Sequence, residues 1–340
     1  MGVIIVCEKR SLHNYGEKMQ TDMSAKEMCA VIGCTYAEIE SALEARDRYS
    51  IRRLPKTHGG FRTIVEVPAP LKLVQLRLHR WFEKAYRKLL HERRLVSVVH
   101  GCVKGKGPLT NALAHRRDTE FFSCDLADAF GQVNESKLGW VFGAELACDL
   151  ELQKLLFELT TRNGSVPQGA PTSQDLLNLA CLPLDQGLKN WGFCYTRYVD
   201  NFYFSGRDPM AMDGAVQQIL AQIKTAGFVI APEKNKRQSV RNGSVHITGI
   251  SLNDVDHQST HVLSTVRTTV RLPRKTIKSC RSMLCHALRG EHTKSEVEGK
   301  LGWVRMVCQG QLPNALIQPY ERYQAAVVAG LIPKNRQEVR

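Results

Sequence analysis

The sequence has no Cys-x-x-Cys motif, no long hydrophobic run and comparatively few acidic residues. Its eleven cysteines are scattered singly, and this odd number and spacing indicate neither a disulfide framework nor a zinc ribbon. Reduced thiols are typical of a cytoplasmic protein. No apolar stretch approaches the roughly 18 residues of a membrane-spanning helix, and MGVIIVCEKR lacks the basic start and cleavage site of a signal peptide. We therefore expect a cytoplasmic protein that has no membrane partner.

Basic residues exceed acidic residues by a wide margin. The 340 residues include 47 Lys and Arg against 33 Asp and Glu, which gives a formal net charge of +14. An excess of this size favours a polyanionic partner, most simply a nucleic acid. A chain of this length is also too long for one small hydrophobic core, so two or three subdomains are expected.

Hydrophobic periodicity and turn signals divide the chain into three segments. Residues 1–50 are predicted to form a helical N-terminal extension, with Ser24 and Thr35 as N-caps. Residues 51–260 mix helical and strand patterns, whereas residues 261–340 are predicted to be helical and basic.

The middle segment contains two hairpin patterns and one buried strand. IRRLPKTHGGFRTIVEVP (51–68) predicts a hairpin that turns at Gly59–Gly60. EFFSCD (120–125) predicts a buried strand, and CYTRYVDNFYFSG (194–206) predicts a tight hairpin. The remaining predicted elements are helices at 70–94, 135–162, 171–190 and 209–226, a strand FVIAP, and a second hairpin near Asn242–Gly243.

Two aspartates stand at strand ends that can meet. Asp125 ends the strand FFSCD, and Asp200 lies at the tip of the 194–206 hairpin. Taken alone, an aspartate in such a place is typical of a turn or a cap. If the strand lies beside the hairpin, the two carboxylates can bind a pair of Mg²⁺ ions about 3.5–4 Å apart, which activate a hydroxyl and stabilise a leaving pyrophosphate. The pair therefore predicts a nucleotidyl-transfer site.

Five motifs, in order, make the chain resemble a reverse transcriptase over roughly residues 51–310. FFSCDLADAF resembles the family's first metal-binding motif, and RYVDN resembles its Tyr-x-Asp-Asp hairpin. The other three are PKTHGGFR in the fingers hairpin, VPQGAPTSQDLLNLACLPLD with its Pro-Gln-Gly turn, and APEKNK followed by HITGI. The resemblance implies an α+β right-hand polymerase fold: fingers and an antiparallel-sheet palm over 51–260, and a helical basic thumb over 261–340.

The resemblance also implies roles for single residues. Asp125, Asp200 and Asn201 form the implied catalytic set. Asp125 and Asp200, with Leu126, form the implied metal set for two Mg²⁺ ions, and Mn²⁺ is an alternative ion. Phe130 falls where the family places an aromatic gate against the sugar 2′-OH.

The implied nucleotide-binding set contains Phe130 and four polar residues. Lys56 and Arg62 are the expected phosphate clamps. Gln168 lies in the turn that positions template and nucleotide, and Lys234 is expected near the triphosphate. By residue type alone, these side chains could equally be solvated hairpin charges or turn residues, and Phe130 could belong to the core.

Two short sequences resemble signatures of bacterial retron reverse transcriptases and their antiphage-defence relatives. They are NALAH at Asn111–His115 and ITG at 247–249. The resemblance implies a structured non-coding RNA as partner and template, dNTPs as substrates and a DNA product. The residues expected to contact the RNA are Asn111, His115, Arg267, Arg271, Arg274, Lys275, Lys278 and Arg281. An effector, a second polymerase subunit and a second copy of the chain stay open as further partners.

The sequence departs from the family at Asn201, where a second aspartate is usual. Because a hairpin reverses side-chain direction at its tip, we expect Asp200 to face Asp125 and Asn201 to supply a hydrogen bond. Asparagine also tolerates the left-handed backbone that tight hairpins require. The sequence leaves three hypotheses open: an RNA-templated DNA polymerase, a DNA polymerase of the same fold with little or no template, and a catalytically silent RNA-binding subunit.

Overall fold

The computed structural model describes residues 24–55, 60–253, 269–308 and 310–333. Three residues named above, Lys56, Gly59 and Arg267, lie outside these ranges, as does the start of the predicted N-terminal extension.

Twelve α-helices form within the described residues. They are α1 (Ala25–Ile32), α2 (Tyr36–Ala45), α3 (Ala69–Glu92), α4 (Pro108–Ala114), α5 (Glu135–Trp140), α6 (Leu150–Thr160), α7 (Ser173–Ala180), α8 (Leu182–Leu188), α9 (Pro209–Thr225), α10 (Arg274–Ala287), α11 (Lys294–Val307) and α12 (Asn314–Val328). None of these helices is both long enough and apolar enough to span a bilayer, within the part of the chain that the structure describes.

Nine strands of the described residues form three antiparallel sheets. They are β1 (Ser50–Pro55), β2 (Phe61–Glu66), β3 (Glu120–Asp125), β4 (Cys194–Tyr198), β5 (Asn201–Gly206), β6 (Lys236–Ser239), β7 (Val245–Ile247), β8 (Ile250–Asn253) and β9 (Thr269–Arg271). The sheets have the orders β1-β2, β4-β5-β3-β6 and β7-β8-β9.

The N-terminal helices begin where the sequence predicted. Ser24 and Thr35 each form a capping box, in which a glutamate three residues later returns a hydrogen bond to the cap. The buried side chains Met28 of α1 and Ile39 of α2 belong to the same core cluster as Leu71 of α3. These two helices therefore pack on the rest of the protein and share its central core.

The central core continues onto the four-stranded sheet. The long helix α3 contacts α7, and α9 contacts β3 and β5. Phe122 of β3 and Phe204 of β5 are buried and stack at a centroid distance of 6.2 Å. This packing holds the middle of the sheet rigid and leaves the ends of β3 and β5 to carry polar side chains.

A second core lies between the three-stranded sheet and the last three helices. It contains Leu252 of β8, Leu284 of α10, Leu301 of α11 and Tyr323 of α12. Phe121 of β3 also belongs to this cluster. Because neighbouring residues of a strand face opposite sides, β3 supplies Phe121 to one core and Phe122 to the other.

Several predicted elements differ in extent from those observed. The helix predicted at 171–190 is two helices, α7 and α8, because Pro183 at the start of α8 cannot continue the α7 hydrogen bonds. The predicted helix at 135–162 is likewise α5, a π-helical turn (Val141–Glu145) and α6.

The region after α9 also differs from the prediction. The predicted strand FVIAP is reduced to a single bridge between Ile230 and Leu126. The predicted hairpin near Asn242–Gly243 is a 3₁₀ turn that leads from β6 in one sheet to β7 in another. The segment after 260, predicted to be helical, contributes strand β9 before α10 begins.

Gly169→Ala should destabilise the protein more than Gly164→Ala. Both glycines have positive φ, +110° and +76° respectively, so alanine costs about 1 kcal/mol or more of backbone strain at either position. A Cβ at Gly169 would also lie 2.6 Å from Ile64 Cγ2 and 2.8 Å from the Val65 carbonyl oxygen, whereas one at Gly164 meets nothing within 4 Å. We expect a further loss of about 1–3 kcal/mol for Gly169→Ala in urea unfolding. Equal losses for the two variants would contradict this close packing of the Pro-Gln-Gly turn on β2.

Candidate active site

The pairing of β3 with β5 brings the two predicted aspartates together. Asp125, the last residue of β3, lies directly opposite Asn201, the first residue of β5. The turn Val199–Asp200 joins β4 to β5, and the Leu126 amide donates to the Asp200 carbonyl oxygen at 3.0 Å. The backbone therefore fixes Asp200 beside the end of β3, as the sequence predicted.

Asp125 lies in an environment that disfavours its charge. One carboxylate oxygen, Oδ2, is 3.0 Å from the Lys234 ammonium group. The other, Oδ1, is buried and has no hydrogen-bond partner. Burial, and then the nearby negative charge of Asp200, raise the pKa of Asp125 despite the bond to Lys234. An unpartnered buried carboxylate oxygen next to a second carboxylate is the arrangement that a bound cation would compensate.

Asn201 takes a different position from the one expected. The left-handed residue of the hairpin is Val199, with φ +59°, so the expectation that Asn201 serves this backbone conformation is wrong. Directly opposed residues of an antiparallel pair project from the same face, so Asn201 shares the face of Asp125. The expected hydrogen bond is present, because the Asn201 amide donates to Asp200 Oδ1 at 3.0 Å.

A pocket of about 550 Å³ opens beside the two aspartates. Its walls include Arg62 of β2, Phe130, Gln168, Asp200 and Lys234. Four of the five residues predicted to bind the nucleotide therefore line one cavity, and the fifth, Lys56, is outside the described residues. Gln168 lines the same pocket as Arg62 because the Val65 amide donates a hydrogen bond to the Gln168 carbonyl oxygen at 2.9 Å. This bond holds the Pro-Gln-Gly turn against β2.

Leu126 also lines this pocket but is itself almost fully buried. Its side chain has no donor atom, so only its backbone carbonyl can belong to the metal set in which it was placed.

Sequence reasoning missed Arg162, which adds a further cation to the pocket. It precedes a tight turn at Asn163 and Gly164, which have φ of +53° and +76°. The Asn-Gly pair is a strong turn signal that could have identified this loop. Its nearness to the aspartates depends on the fold, because nearly 40 residues separate Arg162 from Asp125 and Asp200 on either side.

The basic residues after 270 are exposed, as their predicted role requires. Arg271 ends β9, and Arg274 and Lys275 begin α10. Lys278 and Arg281 continue the exposed positions along the same helix. Cations in the first turn of a helix are unfavourable for its dipole, and no acidic residue lies in that turn. An external anion would relieve this arrangement.

Asn111 and His115 do not face a ligand. Both are fully buried, so direct contact of these side chains with RNA is a prediction that the structure contradicts. The ring nitrogens of His115 pair with Ser205 Oγ and Thr196 Oγ1, each at 2.7 Å. Burial lowers the pKa of His115 to about 3, so the ring is neutral and joins β4 to β5.

The second retron-like sequence packs near the first. The Thr248 hydroxyl donates to the Pro108 carbonyl oxygen at the start of α4, at 3.1 Å. The Thr248 amide lies 3.4 Å from the Tyr203 hydroxyl of β5. The two sequences therefore form one joint between the four-stranded and three-stranded sheets.

A group of metal-ligating residue types also surrounds His115. Donor atoms of His115, Asp118 and Cys194 lie within 4.8 Å of one another. The Ser205 hydroxyl lies between them and donates to Asp118 Oδ2 at 2.5 Å. Hydroxyl groups already occupy both ring nitrogens of His115, so the histidine needs no metal ion to complete its hydrogen bonds. The cluster lies at the opposite end of β4 and β5 from Asp200.

The chain belongs to the family described as "Reverse transcriptase (RNA-dependent DNA polymerase)", whose sequence model matches residues 54–262. The protein is therefore a nucleotidyltransferase, and it has the right-hand polymerase fold of this family. In the division expected from the sequence, β1 and β2 would be the fingers hairpin, the four-stranded sheet the palm, and α10–α12 the thumb.

Within the family, the chain is retron-like. It is 26% identical to the retron Mx65 reverse transcriptase of Myxococcus xanthus, over 83% of this chain and 68% of that protein. It is 24% identical to the retron Mx162 reverse transcriptase of the same organism, over 79% of this chain but 59% of the relative. A solved telomerase of Candida tropicalis is similar in fold, with a TM-score of 0.51, 11% identity and coverage of 83% of this chain and 58% of that one.

Asp125→Asn should stabilise the metal-free protein at neutral pH. The pKa of Asp125 is raised in the folded chain, so the folded chain favours the protonated form. Its ionisation therefore costs stability as the pH rises through the raised pKa. We expect a higher free energy of unfolding for Asp125→Asn at pH 7 in EDTA, and no difference below the ordinary carboxyl pKa of about 4.

Urea unfolding at the two pH values provides the measurement. Asp47→Asn is the matched control. Because the Asp47 side chain is 95% exposed, this substitution should leave the free energy of unfolding unchanged. A loss of stability for Asp125→Asn at pH 7 would show that the bond to Lys234 outweighs burial and repulsion.

Proposed function

We propose that this chain is an RNA-directed DNA polymerase of the retron type, which extends a primer 3′-OH with dNTPs on a structured non-coding RNA. The observation that carries the proposal is the meeting of Asp125 and Asp200 at the edge of a pocket lined by Arg62, Lys234 and Phe130. Carboxylates beside cations and an aromatic ring suit a nucleoside triphosphate, whose phosphates need both metal and positive charge.

The residues present fit a divalent metal. Asp125 Oδ1 is buried without a partner, and Asp200 adds a second carboxylate. Asp125, Asp200 and the Leu126 carbonyl would hold Mg²⁺ ions, with Mn²⁺ as an alternative, and the bound ions would supply charge stabilisation of the attacking and leaving oxygens. Lys234 now offsets the charge of Asp125, and it is free to turn to a phosphate because its side chain is 53% exposed.

The pocket residues divide the work of holding the nucleotide. Arg62 and Arg162 supply positive charge for phosphates, and the resemblance assigns the same role to Lys56. Gln168 lies on a turn that its own backbone fixes to β2, so it is suited to positioning a base pair. Phe130 forms part of the wall and is the residue that we assign to the sugar 2′-position.

The exposed basic residues of the thumb, Arg271, Arg274 and Lys275, would contact RNA phosphates. Asn111 and His115 would act on RNA binding only indirectly, through the joint that holds the palm against the three-stranded sheet.

Two other functions stay open for the same site. Asn201 is the observation that favours them, since it reduces the negative charge near Asp200. The same fold could make DNA with little or no template, or it could serve as a silent RNA-binding subunit.

The first experiment combines RNA identification with nucleotide addition. RNA that copurifies with the protein is sequenced, and labelled dNTPs are then supplied with Mg²⁺ or Mn²⁺. We expect a DNA product complementary to the bound RNA, and its loss by at least about 1,000-fold in Asp125→Ala and Asp200→Ala because the metal ligands are removed. Asp47→Ala is the control for an exposed carboxylate.

Each alternative has its own outcome in this experiment. A product that matches no nucleic acid present would indicate synthesis without a template. Bound RNA without product under either metal would indicate the silent subunit. Unchanged synthesis by either alanine variant would contradict the site.

Asn201→Asp should increase the affinity of the site for Mg²⁺ by about tenfold, or about 1.4 kcal/mol, which is the size of one charge–charge interaction at an accessible site. The register places position 201 on the face of Asp125, so a carboxylate there adds to the field at the ions. The measurement is the Mg²⁺ dependence of nucleotide addition, with Asn201→Ala as the variant that removes the hydrogen bond without adding charge. Complete loss of synthesis in Asn201→Asp would mean that the amide itself is required.

A further inference from the structure

Arg197 of β4 is a fully buried residue of the hairpin that carries Asp200. Its Nε donates to both carboxylate oxygens of Asp185, at 2.9 and 3.1 Å, and Nη2 donates to Asp185 Oδ2 at 2.7 Å. Asp185 is fully buried as well, and it accepts a third donor, the Tyr195 hydroxyl, at 2.7 Å. Both carboxylate oxygens of Asp185 therefore have protein donors, and the ion pair needs no water to complete these hydrogen bonds.

The guanidinium group has further N–H donors, and one of them reaches the turn between β4 and β5. Nη1 donates to Asn178 Oδ1 at 2.8 Å and to the Val199 carbonyl oxygen at 2.9 Å. Nη2 also contacts the Tyr86 hydroxyl at 3.3 Å. All five N–H groups of the arginine thus have partners, and the Val199 oxygen belongs to the peptide that leads into Asp200.

The turn needs such a restraint. Val199 has φ +59°, a conformation that a β-branched residue adopts only when its surroundings impose it. Gly101 packs against the same turn so closely that a Cβ on it would lie 2.2 Å from the Val199 nitrogen. Asn178, which holds Arg197, also donates to the Gly101 carbonyl oxygen at 3.3 Å. One buried hydrogen-bond network therefore restrains this turn.

We propose that Arg197 is a positioning residue, which fixes the Val199–Asp200 peptide and so aims the Asp200 carboxylate at the metal site. The inference rests on the function proposed above, because it assigns the geometry of that site. The competing explanation is that the Arg197–Asp185 pair only stabilises the core. The two differ in whether the bond to the Val199 oxygen matters for metal binding once the protein is folded.

Two variants separate these explanations. Arg197→Lys keeps the charge but has at most three donors, so it cannot serve Asp185, Asn178 and Val199 in the same planar geometry. The double variant Arg197→Met with Asp185→Leu removes both charges and keeps apolar volume, a replacement that folded proteins often tolerate. The matched control is Arg93→Met with Glu145→Leu, which removes an ion pair between the end of α3 and the π-helical turn, with side chains 23% and 4% exposed.

The measurements are thermal unfolding, direct binding of Mn²⁺ followed by electron paramagnetic resonance, and the single-turnover rate of nucleotide addition against Mg²⁺ and Mn²⁺ concentration. We expect folded Arg197 variants to bind Mn²⁺ about 10- to 100-fold more weakly, with partial rescue of the rate at high Mn²⁺. The control should bind Mn²⁺ as the unaltered protein does.

Wild-type Mn²⁺ binding in a folded Arg197 variant would overturn the inference. Failure of both variants to fold would also overturn it, because the pair would then be a requirement of the core. An unaltered protein that binds Mn²⁺ but adds no nucleotide would refute the proposed function instead, and the binding measurement would still decide the role of Arg197.

Discussion

The antiparallel pairing of β3 with β5 is the constraint on which the site depends. It sets Asp125 opposite Asn201 and holds Asp200 beside both. A shift of one residue would turn the carboxylate to the other face of the sheet. Phe122 and Phe204, buried and stacked, prevent such a shift because their faces are committed to the core. The chemistry at the strand ends is therefore secured by apolar packing in the strand middles.

Neighbouring side chains offset the charge of the two aspartates. Asp200 lines the pocket and Asp125 lies beside it, where Lys234 offsets the charge of Asp125. Asn201 offsets part of the other by donating a hydrogen bond to Asp200. A second aspartate at this position would add repulsion to a site where the pKa of Asp125 is already raised by burial and by Asp200. Asparagine therefore lowers the repulsion among these side chains, and it also lowers the negative charge that the proposed metal ions would meet.

The retron-like sequences illustrate how a motif can mark a joint as well as a contact surface. Their side chains bond to other parts of the protein: His115 bridges β4 and β5, and Thr248 joins the three-stranded sheet to α4. Exposed cations begin at Arg271, the last residue of β9, which is an edge strand of that sheet. The joint thus connects the four-stranded sheet to the sheet whose edge strand ends at these exposed residues.

The sequence by itself determined the caps at Ser24 and Thr35, the fingers hairpin, the long helix α3, and the strand and hairpin that carry Asp125 and Asp200, because each has a local signal in turn residues or periodicity. Arg62, Phe130, Gln168 and Lys234 were predicted from the resemblance to bind the nucleotide, and the fold brings them to one pocket. Only the tertiary structure decided which polar residues are buried. Arg197 and His115 are both fully buried, whereas a charged or titratable side chain is normally exposed. Their hydrogen-bond partners, Asp185, Thr196 and Ser205, come from other parts of the chain. No local sequence pattern indicates that a distant residue will satisfy a buried polar group.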